Sequence, residues 1–183
     1  YLILLPSDFC KSTSSTIKNI SIETASSEVI FKATGNPGFL KITGRSKGKL
    51  ESNLRVSGEK ISGEFIFPLD SLKTGIGLRD RHMKKKYLET SKYPKAFLRV
   101  KDVTLPPGWE KLDKFLLTFD SQLEIHGVVK RVSCELKANK KEGVTFIEVV
   151  TNTTLKNHRI KTPGYMGVKV ADKVAINVKF HLK

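Results

Sequence analysis

Nothing in this sequence approaches the run of about eighteen apolar residues that a membrane-crossing helix requires, so no segment of it spans a bilayer as a helix. Cysteine is close to absent. Cys10 and Cys134 are the only two, and neither sits in a CxxC pair, which removes zinc-ribbon and thioredoxin-like chemistry. Whether they pair is open, because a disulfide is decided by Cα separation and not by count. Histidine is scarce as well. His82, His126, His158 and His181 form neither HxH nor HExxH, so no metal site is expected. GxSxG, GxGxxG and the phosphate-binding GxxxxGKS/T are all missing. No catalytic residue is nominated, and the chain is expected not to be an enzyme. Acids are the last shortage: 18 Asp and Glu stand against 33 Lys and Arg, for a net charge of +15 and a pI near 9.8.

What is present is alternation. Ile61, Gly63, Phe65 and Phe67 fall on one face of an extended strand, and Ser62 and Glu64 on the other. Phe115, Leu117, Phe119, Ser121, Leu123 and Ile125 repeat the pattern, as do Val174, Ile176, Val178, Phe180 and Leu182. Period two over this length marks strands with one face buried and one in water. Such runs begin near Ile17, Glu28, Phe39, Lys49, Ile61, Phe97, Phe115, Val128, Val144 and Val174. Gly35-Asn36-Pro37-Gly38, Pro106-Pro107-Gly108 and Pro163-Gly164 punctuate them as turns. Many strands with short connections make an antiparallel meander, and closing it into a barrel removes the exposed edges. The expected fold is therefore all-β, an antiparallel barrel of about eight strands. His126-Gly127 reads as a turn or bulge, and Cys134, between Val132 and Leu136, reads as a small core residue.

The rhythm lapses once. Leu78 to Glu89 shows no alternation, contains good helix formers and follows Gly75 and Gly77, so a short helical insertion is expected near residues 78–90. Between Arg79 and Lys101 lie nine Lys or Arg and only two acids. A solvated helix face is the ordinary reading of such a cluster, and an anion-facing rim is the functional one. A basic barrel binding nucleic acid or another polyanion is the alternative function. The aromatics beside the cluster, Tyr87, Tyr93 and Phe97, are too few for the regular stacking platform that single strands require.

Three ordered segments carry a resemblance. Phe65-Ile66-Phe67-Pro68-Leu69-Asp70-Ser71-Leu72-Lys73-Thr74-Gly75, then Leu78-Arg79-Asp80-Arg81-His82-Met83 with Lys92-Tyr93-Pro94-Lys95-Ala96, and Leu123-Glu124-Ile125-His126-Gly127-Val128-Val129-Lys130 closely resemble the YceI-like family. Val129 departs from it, where the family often carries Thr. The likeness implies a lipocalin-like barrel with a hydrophobic bore that binds and carries a polyisoprenoid, an isoprenoid quinone or a fatty-acid-like amide without chemistry. It implies no cofactor beyond such a bound polyprenyl chain or quinone, and residence in the bacterial periplasm or secretion. Residues 1–16, opening on the apolar Tyr1-Leu2-Ile3-Leu4-Leu5-Pro6, are then an N-terminal extension or signal remnant whose start is missing, and 17–183 the barrel domain. The expected cavity wall is Phe31, Ile61, Phe65, Phe67, Phe97, Phe119, Ile125, Val132, Ile176, Val178 and Phe180. Arg79, Arg81, His82 and Lys84 are the headgroup candidates at the mouth. Besides the lipid, an anionic membrane surface and a second copy of the chain are the partners considered. An acid placed at Phe65 is expected to abolish lipid retention while the fold survives.

Overall fold

The computed structural model describes residues 16–36, 41–165 and 168–182. Its strands are β1 (Ile17–Ile20), β2 (Glu28–Asn36), β3 (Lys41–Lys47), β4 (Glu51–Ser52), β5 (Leu54–Ser57), β6 (Lys60–Pro68), β7 (Lys95–Thr104), β8 (Lys114–Ile125), β9 (Val128–Lys141), β10 (Val144–Thr154), β11 (Gly164–Tyr165) and β12 (Val168–Leu182). Helix α1 (Gly77–His82) and one wider π-helical turn over Met83–Tyr87 lie between β6 and β7, where alternation lapses. Every strand pairing is antiparallel. One curled sheet runs in the order β1-β5-β6-β7-β8-β9-β10-β12-β2-β3, with β4 added to β6 and β11 to β12. The fold class is the expected one, but the strands number twelve among the described residues and not about eight. β4 and β11 are two-residue pieces, and the run expected from Lys49 divides at Asn53 into β4 and β5. The run expected from Phe39 is seen from Lys41 onward, Phe39 itself lying outside the described residues.

The two ends of the sheet, β1 and β3, do not pair with each other. Two isolated bridges draw them in instead, Ile22 with Leu182 and Arg45 with Lys73. The second is a reciprocal backbone pair of 2.8 and 2.9 Å.

Alternation sorts the side chains, and register stacks them into rows. In β8, Leu116, Thr118, Asp120 and Gln122 are exposed, while Phe115, Leu117 and Phe119 are half-buried and Ser121 and Leu123 buried. Phe31, Ile176, Thr151, Cys134 and Phe119 stand in one inner row across β2, β12, β10, β9 and β8. Val29, Val178, Val149, Leu136 and Leu117 form the next. Leu123, Leu98 and Phe65 carry the inner face across β8, β7 and β6.

Two glycines are fixed by what lies over them. An ideal Cβ on Gly44 would sit 1.8 Å from the Phe31 ring, which lies across that position. At Gly63, φ is +141° and a Cβ would meet the Asn53 carbonyl oxygen at 2.3 Å. Gly63 thus makes room for the β4–β5 crossing and not for a ligand. Gly63→Ala adds strain and a backbone clash, and is expected to cost about 2–4 kcal/mol of stability. Urea unfolding of the variant measures it, and a loss within about 0.5 kcal/mol would show that this crossing yields freely.

Candidate functional site

The interior is mostly filled by the chain's own side chains. Among the described residues, a half-open apolar pocket of about 50 Å³ is bordered by Leu50, Phe65, Leu98, Leu123, Val149 and Phe180 among others. That is little more than a water's share of liquid, about 30 Å³, and far below the roughly 300–1,000 Å³ of sites for drug-sized ligands.

The eleven expected wall residues divide into three groups. Phe65, Phe67, Val132 and Phe180 are buried core, with the rings of Phe65 and Phe180 tilted together at 5.3 Å between centroids. Phe31, Ile61, Phe119, Ile125, Ile176 and Val178 also belong to the inner face, pack against that core and remain half-buried. Phe97 is a correction. It touches the pocket from between Ala96 and Leu98, but it pairs with Ile66 and Glu124 on the opposite face of the sheet. Arg99 lies over its ring at 5.0 Å and reaches Glu124 at 2.7 Å and Glu64 at 3.3 Å. Phe97 is the third residue of β7, and parity places it with Lys95 and Arg99 on the face opposite the buried Ala96 and Leu98. Phe115, Leu117 and Leu136 also belong to the half-buried inner surface and were passed over, although Phe115 and Leu117 stood in the same alternating run as Phe119.

Two polar pairs of the inner row are satisfied locally, while the buried Ser52 hydroxyl beside Phe65 has no hydrogen-bond partner among the described residues. The Thr151 hydroxyl donates to the Ser133 carbonyl at 2.8 Å. Ser121 Oγ lies 3.1 Å from Cys134 Sγ. Burial pushes the Cys134 thiol up, against the hydrogen bonds from Ser121 and Thr151, so it acts as a packed core group, as expected. Its suggested partner Cys10 lies outside the described residues.

The headgroup candidates all belong to the insertion, at the end of the barrel that holds the β8–β9 turn. Arg79 is engaged internally, Nε donating to Thr74 Oγ1 and Nη2 to the Thr74 carbonyl, each at 2.8 Å. Asp80 closes that knot. Desolvation raises its carboxyl, but the Thr74 hydroxyl and amide, with Lys84 and Arg79, hold it below the usual carboxylate range. Lys84 lies 3.8 Å from Asp70. Arg81 and His82 are exposed. The structure thus makes Arg79 a brace of the insertion and leaves Arg81 and His82 open to solvent.

Two histidines fix this end. His126 and Gly127 form the two-residue β8–β9 turn with φ of 55° and 68°, the doubly left-handed geometry suited to a tight hairpin. His126 Nε2 lies 2.6 Å from Glu89 Oε2, Nδ1 lies 3.3 Å from the His158 carbonyl, and the Tyr93 ring packs on the imidazole at 4.5 Å. The insertion is thereby tied to the hairpin, the structural role expected for His126. His158 is fully buried, 1% exposed. Its Nδ1 donates to the Val128 carbonyl at 3.0 Å and its Nε2 accepts from the Thr153 hydroxyl at 2.9 Å. Desolvation lowers its pKa from 6.5, against backbone bonding from Val128 and Ile125 that raises it. No local sequence signal separates His158 from a solvated loop histidine.

A folded pKa below the unfolded value means that the unfolded chain binds the proton first. The stability tied to His158 is therefore complete above pH 6.5 and is lost as pH falls through 6.5 toward the folded value. Urea midpoints are expected to drop between about pH 7.5 and 5.5, and to drop less in His158→Gln. Equal slopes in the two proteins would refute a neutral buried imidazole.

The model of the YceI-like domain family matches residues 21–182. No curated protein matches the chain. Solved structures do. A polyisoprenoid-binding domain from Saccharophagus degradans, implicated in plant cell wall breakdown, aligns with a TM-score of 0.67 at 15% identity over 90% of this chain and 97% of its own. Burkholderia cenocepacia BcnA aligns with a TM-score of 0.67 at 18% identity over 88% and 98%. The Campylobacter jejuni YceI protein aligns with a TM-score of 0.56 at 16% identity over 76% and 83%. At these identities the structural matches establish the shared fold.

Proposed function

Because the chain belongs to the YceI-like domain family, we propose that it holds a long apolar lipid, of polyisoprenoid, quinone or fatty-acid-like amide type, along the inner face of its barrel and carries it unchanged. One observation carries this reading. Six of the expected wall residues point inward yet remain half-buried, so apolar inner surface is left that the chain's own side chains do not cover. Covering such surface contributes about 25 cal/mol per Å², or about 0.8 kcal/mol per buried methylene. Twenty methylenes would give about 16 kcal/mol by that measure, and association takes back about 4–15 kcal/mol. Affinity then needs no strong polar anchor, and selectivity among tails is loose. The likeness to the Saccharophagus degradans domain, described as polyisoprenoid-binding, supports the ligand class.

The 50 Å³ pocket alone is too small for such a chain, so the lipid extends over the half-buried inner surface beyond it.

Native mass spectrometry of the purified protein, followed by solvent extraction, tests the proposal. The expected result is a stoichiometric long-chain lipid. A ligand-free protein that also takes up neither quinones nor prenyl lipids on titration would overturn it.

A further inference from the structure

A surface that lipid carriage leaves unexplained surrounds α1. Ile76 and Leu78 are 54% and 60% exposed, on either side of Gly77 at the start of α1. Lys73, Arg81, Lys85, Lys86 and Lys95 are exposed on the same insertion and its flanks. None of the five forms an ion pair among the described residues, where the contacts at the insertion join Lys84 to Asp70 and Glu89 to His126. The two acids of the insertion are turned to internal work. Asp80 accepts from the Thr74 amide and hydroxyl, and Glu89 lies against His126. The region thus offers bare aliphatic side chains inside a field of uncompensated positive charge.

Three partners could meet such a surface, and their chemistries differ. Water would suit the lysines but gains nothing from Ile76 and Leu78. A nucleic acid would suit the lysines and prefers aromatic faces to aliphatic ones. A bilayer with anionic headgroups suits both at once, since the charges meet phosphates and the aliphatic pair enters the boundary between headgroups and acyl chains. The His126–Glu89 contact and the Thr74–Asp80–Arg79 knot hold the insertion rigidly enough to present it.

We propose that the α1 end docks on a bilayer surface containing anionic phospholipids, through Ile76 and Leu78 together with Lys85 and Lys86. This stands apart from the identity of the cargo, because it rests on the outer surface alone.

The test is co-sedimentation of the full chain with vesicles of phosphatidylcholine, and of phosphatidylcholine with added phosphatidylglycerol. Binding is expected only to the second and is expected to fall with salt. Lys85→Gln with Lys86→Gln should weaken partitioning roughly thirtyfold, at about fivefold per lysine. Ile76→Ser with Leu78→Ser should weaken it roughly tenfold with the charge unchanged. Thermal melts confirm that both variants fold, and their extracted lipid reports on cargo separately. Equal binding to both vesicle types, no binding to either, or full binding by the Ile76→Ser, Leu78→Ser variant would each overturn the proposal. So would a lysine variant that loses affinity for duplex DNA and keeps it for vesicles.

Discussion

Phe65→Asp is expected to lower the unfolding free energy by about 5 kcal/mol or more and to leave much of the protein unfolded. Removing a buried phenyl ring costs about 3–5 kcal/mol, and a carboxylate stranded in a dry core adds to that. Phe65 is 9% exposed, its ring packs on Phe180, and Leu98 stands beside it in the register. A small domain holds only about 5–15 kcal/mol in reserve. The expectation from sequence, that an acid here would strip the lipid from an intact fold, is thus corrected by burial. Urea unfolding against the parent chain checks it. A stable, monodisperse Phe65→Asp protein would mean that water reaches this part of the interior.

Phe119→Glu should behave in the opposite way. Phe119 shares the inner row with Cys134 and Ile176 but is only half-buried, so a carboxylate there keeps contact with water and costs the empty protein about 1–2 kcal/mol. A lipid tail laid over it would have to desolvate that charge, at several kcal/mol. Retention of extracted lipid should fall by about a hundredfold or more, since each 1.4 kcal/mol is tenfold in affinity. Phe119→Leu, which keeps the surface apolar, should retain it. Lipid content in Phe119→Glu equal to the parent would place the cargo away from the β8–β9 side of the barrel.

The contrast between these positions shows what was legible in the sequence. Period-two alternation identifies which side chains turn inward, and it succeeds for ten of the eleven nominated wall residues because a strand has only two faces. Phe97 is the exception, and parity itself puts it with Lys95 and Arg99 on the opposite face. Alternation cannot rank depth. Phe65 and Phe119 look alike in their runs, and only the curl of the sheet buries one and leaves the other half open. The insertion was visible as a break in rhythm. The internal engagement of Arg79 was not, because the Thr74 bonds depend on a loop conformation that no spacing encodes. The surroundings of Gly63 were hidden for a similar reason. A missing side chain on an inner face suggests space for a ligand, and here the neighbouring backbone takes that space.

A barrel laddered all the way round has a radius set by its strand number and shear, and cannot widen without slipping register. This sheet is drawn together at its ends by the Ile22–Leu182 and Arg45–Lys73 bridges. Its girth is held by a clasp and not by a hoop. Parting the clasp forfeits a few backbone hydrogen bonds and leaves the long β8–β9 and β10–β12 ladders intact. Bulk and branching of the guest would then matter less than they do in a rigid tube, because a guest admitted from the side need not be threaded from its tip.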